Sequence, residues 1–206
     1  MWAAAREVVG SPASGTGPEK GHGLAILDLF RGRALNAVDA KGRVSIPAEF
    51  RGAIQSRYRR AVAREGYDPA TVEVEGKSRA GKVVSLVKHP EQPCLIAYDD
   101  AYATQYRDEI ERRHADKIGV ERERAIHRDQ RFFGSSEDLA WDVNGRIVMG
   151  PRLRKRAGID GLVFFFARGE TFELWDPATF CAVHEAEDPE LAEECREICE
   201  EKGVTL

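Results

Sequence analysis

Apolar positions along the chain fall mostly in short runs bounded by Gly, Pro, Asn and Asp, a pattern of short strands joined by tight turns. Arg33 to Val38 leads into Asp39-Ala40-Lys41-Gly42, where the glycine supplies a positive φ, and Arg43 to Ile46 returns as a second strand. The same reading applies at Asp142 to Val148, where Asn144-Gly145 predicts a type I′ hairpin. Pro47 and Pro151 stand where a first helical turn tolerates a missing N–H, so a short helix follows each strand pair, and Gly158 stops the second. Lys82 to Val87 and Cys94 to Tyr98 then flank a turn at His89 to Pro93, and Gly161 to Ala167 and Thr171 to Trp175 flank Arg168-Gly169-Glu170. Helices open after them, capped by Asp99 or Asp100 in the first case and by Asp176, with Pro177, in the second.

The unit β-β-α-β-β-α is therefore present twice. Asp39-Ala40-Lys41-Gly42-Arg43-Val44-Ser45-Ile46-Pro47-Ala48-Glu49-Phe50-Arg51 returns as Asp142-Val143-Asn144-Gly145-Arg146-Ile147-Val148-Met149-Gly150-Pro151-Arg152-Leu153-Arg154, in phase except for a proline displaced by one. The expected organisation is a disordered extension over 1–27, a first module over 28–107, a charged helical connector over 108–130, a second module over 131–182 and an acidic helical tail over 183–206. A helix from Pro189 to about Lys202, capped by Asp188, would place Leu191, Ala192, Cys195, Ile198 and Cys199 on one apolar stripe. Gly66 to Ala80 reads as a long loop.

Length and composition set outer bounds. The chain has 206 residues, 42% hydrophobic and 32% charged, enough for one large domain or two small ones. Its most apolar stretch, Leu162 to Ala167, is far shorter than the roughly 18 residues of a membrane helix, and no secretory signal is visible, so the expected setting is cytoplasmic. Four cysteines at irregular spacing suit a reducing compartment; Cys195 and Cys199, four apart, belong on the inside of a helix rather than in a metal site.

The net charge of −4 conceals a strong asymmetry. Residues 31–64 carry nine bases against two acids, 146–156 carry five bases and no acid, and 185–201 carry nine acids against one base. Local basic clusters are what an anionic polymer senses within a Debye length. A turn that carries Lys41 and Arg43 beside Gly42 presents both charges to solvent, and a two-stranded ribbon is a shape that enters a major groove. Asp39 and Asp142 belong to the turns themselves, and an Asp39–Arg43 ion pair that merely fixes the turn is the competing reading. The histidines, His22, His89, His114, His127 and His184, are scattered without partners at catalytic spacing, and His114 and His127 read as surface residues. Glu173 and Asp176 flank Trp175 but read as strand-end and capping acids, so neither an enzyme, a cofactor nor a small-molecule substrate is expected.

The paired Asp-x-x-Gly-Arg segments, preceded by Phe30-Arg31-Gly32 and followed by Ile46-Pro47-x-x-Phe50-Arg51, resemble the two SpoVT-AbrB modules of the MraZ family of bacterial transcriptional regulators. The resemblance continues through Cys94 to Tyr98, Arg131-Phe132-Phe133-Gly134 and Phe172 to Asp176, and spans about Leu29 to Ala182. It implies an α+β fold of two tandem AbrB-like swapped-hairpin β modules with short helices. It also implies a ring-shaped homo-oligomer that binds double-stranded DNA at promoter repeats upstream of the division and cell-wall gene cluster, close to the nucleoid. It implies as well that Arg43 contacts DNA; the candidate DNA-binding residues are Arg31, Lys41, Arg43, Arg51, Arg146 and Arg154, and the turn-forming residues Asp39, Gly42, Asp142 and Gly145. A toxin-neutralising antitoxin can use the same module, but normally carries one copy and a disordered tail. Asn144 in place of Lys41 and Gly150 in place of Pro47 distinguish the second copy from the first.

Assembly follows from strand chemistry too. Phe164, Phe165 and Phe166 are consecutive, so both faces of their strand need cover, which self-association would supply. The acidic tail has two readings: its acids compete with DNA for the basic surface, or the helix only covers apolar surface.

Overall fold

The repeat is visible in the order of elements. The computed structural model describes residues 29–66 and 81–206. These form β1 (Arg33–Ala37), β2 (Arg43–Ser45), α1 (Ala48–Arg64), β3 (Val83–Lys88), β4 (Leu95–Tyr98), α2 (Asp100–Arg113) and α3 (Gly119–Gly134). There follow β5 (Glu137–Ala140), β6 (Arg146–Val148), α4 (Pro151–Arg156), β7 (Leu162–Ala167), β8 (Phe172–Trp175), α5 (Pro177–His184) and α6 (Pro189–Glu201). Each β-β-α-β-β-α set is followed by one more helix, α3 or α6. The expected extension over 1–27 and nearly all of the expected loop at 66–80 lie outside the described residues. The class is α+β, with antiparallel pairing throughout.

The two copies interleave. A six-stranded sheet runs β1-β7-β8-β4-β3-β5, and a separate two-stranded ribbon pairs β2 with β6. Strand β1 thus borders β7 of the other copy, and β5 borders β3. The expected strand pairs β1/β2 and β5/β6 are joined by turns but do not form ladders with each other. Each turn closes locally, with Asp39 N–H donating to Arg43 O (2.9 Å) and Gly42 N–H to Asp39 O (2.8 Å), then the strands diverge into different sheets. Three-residue strands gain more by pairing with their equivalents, because Val44 and Ile147 then face one shared core.

The second turn also departs from the type I′ expectation. Gly145 N–H donates to Asp142 O (2.9 Å), which makes Val143 and Asn144 the central pair and places Gly145, at φ +76°, after them. That is the arrangement of a three-residue loop ending in a left-handed glycine.

Two apolar clusters lie on opposite faces of the sheet. Val163 and Phe165 point to the cluster that holds Val44, Ile46, Phe50, Ile147 and Leu153. Phe164 points to the other, with Leu35, Trp175, Phe180 and the thiols of Cys181, Cys195 and Cys199, and Phe166 packs against it. Helices α5 and α6 therefore cover the second face of β7 from within the chain, and the three phenylalanines do not call for a partner copy. Burial of Phe164 and of Phe165 contributes on the order of 1.5–3 kcal/mol each.

Helix α6 begins at Asp188, whose side chain accepts from Leu191 N–H at 3.1 Å, and buries Ala192, Cys195 and Cys199. Helix α1 has 17 residues rather than the short span expected, because nothing after Pro47 stops it; α4 has six and halts before Gly158 at φ +66°. His114, expected on the surface, is buried: its Nε2 lies 2.9 Å from Asp129 Oδ2 where α2 turns into α3. Among the described residues no helix is long and apolar enough to cross a membrane.

Candidate nucleic-acid interface

Register decides what the ribbon displays. Arg43 stands opposite Val148, Val44 opposite Ile147 and Ser45 opposite Arg146. Directly opposed residues share a face and successive residues alternate. Val44 and Ile147, each 1% exposed, point into the core. Arg43, Ser45, Arg146 and Val148 share the outer face, so the arginines of both repeats stand on one surface, about 7 Å apart along the ribbon.

Each arginine is braced by the aspartate that opens its turn. Asp39 Oδ1 accepts from the backbone N–H of Lys41 and of Arg43, both at 2.9 Å, and Oδ2 accepts from Arg43 Nε at 2.6 Å. Asp142 repeats the pattern with Asn144 N–H (2.9 Å), Arg146 N–H (3.0 Å) and Arg146 Nε (2.9 Å), and Arg146 Nη2 also lies 2.8 Å away. The Arg43 N–H and guanidinium hold the Asp39 carboxyl below its ordinary pKa, and the Arg146 guanidinium and N–H do so for Asp142. The ion pair of the competing reading is thus present in both repeats, and it fixes the arginines in place on the outer face. Both turn glycines then lock the ribbon's ends: Met149 N–H donates to Gly42 O (2.8 Å) and Ile46 N–H to Gly145 O (2.9 Å).

The other expected contacts fall in different places. Lys41 is exposed at the tip of the first turn, and Asn144 holds the matching place in the second. Arg51, half-buried on α1, donates from Nε to Ile46 O (3.1 Å) and lies against Gly145, the turn of the other repeat. Arg154, half-buried on α4, lies likewise near Gly42. These two side chains support the turns from beneath. Arg31 is exposed, but it precedes β1, roughly 25 Å of extended chain from the turn at Asp39, and the fold does not bring it to the ribbon.

Sequence reasoning also missed a structural arginine. Arg57 is largely shielded, its side chain 10% exposed, with Nε 3.1 Å from Asp99 Oδ2, an Nη1 bond to Glu170 O (3.1 Å) and its guanidinium over the Phe30 ring. Its position three after Ile54 and seven after Phe50 puts it on the inward face of α1, a helical spacing that the chain already displays. Glu173 is buried in β8, accepts from Trp175 Nε1 (2.9 Å) and pairs with Arg168 (3.1 Å), whereas Asp176 caps α5 by accepting from Thr179 N–H. Burial pushes the Cys94 thiol up to about 12 and raises those of Cys195 and Cys199, which keeps them protonated and poor nucleophiles at neutral pH.

Comparison with known proteins places this architecture. No family model matches the chain. It is similar to the transcriptional regulator MraZ of Paraburkholderia phytofirmans, with 29% identity over 158 residues, 77% of this chain and 89% of that protein. Burkholderia vietnamiensis MraZ is 30% identical over 159 residues, 77% of this chain and 89% of its own. MraZ of Ruegeria sp. is 31% identical over 165 residues, 80% of this chain and 87% of the relative. With such identity along most of both lengths, the chain belongs to the MraZ family of transcriptional regulators.

Proposed function

We propose that this protein regulates transcription by laying the outer face of the β2/β6 ribbon against duplex DNA. The observation that carries the reading is the placement of Arg43 and Arg146, one from each repeat, on a single outer face, with side chains 37% and 36% exposed. A two-stranded ribbon fits the roughly 12 Å width of a major groove, and arginine there takes guanine O6 and N7 or a phosphate. Lys41 at the turn adds a phosphate contact, Arg51 and Arg154 set the turns, and Arg31 reaches backbone beyond the ribbon.

On this reading residues 28–107 and 131–182 are two SpoVT-AbrB modules interlocked as swapped hairpins, joined by the 108–130 connector and followed by the 183–206 tail. Copies assemble into a ring and engage repeated promoter sites upstream of division and cell-wall genes, in the cytoplasm beside the nucleoid. Many weak ribbon contacts then act together through effective concentration. The protein needs no cofactor, turns over no substrate and is not an enzyme.

The test is binding of the purified full chain to duplex DNA from upstream of its own gene, titrated between about 50 and 200 mM salt. Affinity that falls steeply with salt, and exceeds that for an unrelated duplex, is expected. Absence of binding at the low end of that range overturns the proposal.

A further inference from the structure

Among the described residues, the exposed large hydrophobic side chains include Val148, 53% exposed, and Val143, 95% exposed, both on the second repeat's turn and strand. Val148 stands on the ribbon's outer face, directly opposite Arg43. Its counterpart in the first repeat is Ser45, which occupies the equivalent ribbon position. The fold therefore accepts a polar residue at this site, and strand-forming tendency alone does not require valine. An apolar group set between cationic side chains suits a surface that is anionic at its rim and apolar at one point of its floor. Among base edges in the major groove, the thymine C5 methyl is that point.

We infer that Val148 is a specificity-determining residue that packs on the C5 methyl of a thymine next to the base contacted by Arg43. The inference rests on the ribbon being the DNA-facing surface, as proposed above. Opposed residues of an antiparallel pair have Cα atoms about 4.5–5.5 Å apart, between one and two of the roughly 3.4 Å steps between stacked bases, a span that lets the two side chains reach adjacent base pairs. The ribbon is then chemically unequal at its two ends. Arg43 and Val148 read one end, whereas Arg146 and Ser45 read the other without an apolar contact.

Upstream DNA amplified with deoxyuridine triphosphate in place of thymidine triphosphate differs only in the missing methyl groups. The wild-type chain should bind the uridine fragment about four-fold more weakly for each contacted methyl, the effect of one buried methylene-sized group. Val148→Ser should bind both fragments alike, and Val148→Thr, which keeps a methyl, should restore the preference. Equal wild-type affinity for the two fragments overturns the inference, with no variant needed. So does a preference undiminished in Val148→Ser, which would assign the methyl contact to another residue such as Val143. Arg43→Ala separates the two levels: if it binds the thymidine fragment as wild type does, the ribbon reading itself fails; if it binds weakly while thymidine and uridine fragments remain equal for wild type, only the role of Val148 fails.

Discussion

Gly42 lies against the backbone of Met149: a Cβ at Gly42 would stand 2.4 Å from the Met149 carbonyl oxygen, while Gly42 O accepts the Met149 N–H at 2.8 Å. Gly145, its counterpart, faces instead the guanidinium of Arg51, with Cζ 2.4 Å from the same imagined atom. Both glycines are left-handed, at φ +77° and +76°, so alanine costs about 1–2 kcal/mol at either. A side-chain end can swing aside and a ribbon backbone cannot. Gly42→Ala should therefore melt about 5 °C or more below Gly145→Ala by calorimetry. Equal melting temperatures would show that the Met149 backbone yields as readily as Arg51 does.

Arg43→Ala should weaken binding to upstream DNA by about 1–3 kcal/mol per ribbon, the scale of a lost bidentate contact. Arg146→Ala should cost less, because its turn carries Asn144 where the first has Lys41. Lys41→Ala should lower the slope of affinity against salt by about one charge without changing sequence preference. Fluorescence anisotropy across a salt series measures all three, and losses of equal size for Arg43 and Arg146 would make the ribbon symmetric in its use of DNA.

Acid should loosen both turns. Asp39 and Asp142 have folded pKa values below the ordinary carboxylate value, so their contribution is fully present above about pH 4 and disappears as pH falls through the lowered folded values. The melting temperature of wild type should consequently fall more steeply below pH 4 than that of the Asp39→Asn/Asp142→Asn double variant, which keeps a side-chain oxygen to accept the backbone N–H bonds but not the charge. Parallel curves for the two proteins would dissociate the turns from acid sensitivity.

The Arg57–Asp99 pair, with side chains 10% and 5% exposed, ties α1 to the cap of α2. Removal of the arginine leaves Asp99 buried without its cation, and burial already pushes the Asp99 carboxyl above its ordinary pKa. Arg57→Met should lose about 3–5 kcal/mol, and Arg57→Met/Asp99→Asn, which keeps the cap, should regain a large part of it. Denaturant titration checks both, and a double variant no more stable than the single would place the loss in packing around Phe30 rather than in the stranded charge.

What the sequence made legible was local. Asp39 bonds to N–H groups two and four residues on, and Gly42 takes a left-handed conformation, both of which short-range chemistry dictates in each repeat. The caps at Asp99, Asp176 and Asp188 are legible for the same reason. Pairing of β1 with β7 and of β2 with β6 depends on which faces Leu35, Val44 and Ile147 share with residues more than a hundred positions away, and no local pattern records that choice. Arginine roles are the least local: Arg43 and Arg146 lie on the ribbon's outer face, Arg51 and Arg154 sit beneath turns and Arg57 is shielded between α1 and the cap of α2, although all five stand in runs of similar charge. Burial of His114 is non-local in the same way, because only the α2–α3 corner brings Asp129 to it.

Placement of the acidic tail separates its two readings. Helix α6 buries Ala192, Cys195 and Cys199 in the cluster that holds Leu35 and Phe164, on the sheet face opposite the one that Val44 and Ile147 pack against. Glu194 pairs with Arg33 on β1, whose side chain shares that face with Leu35, so this acid is engaged away from the ribbon. Competition with DNA would require the acids to reach round the sheet, whereas loss of cover over Phe164 and Leu35 follows directly from removing the helix. Deletion of residues 186–206 should therefore lower the melting temperature by several degrees, since uncovering apolar side chains costs about 25 cal/mol for each Å². DNA affinity at low salt should stay unchanged. Tighter binding by the truncated chain, with a gain that shrinks as salt rises, would instead assign the tail an inhibitory role at the basic surface.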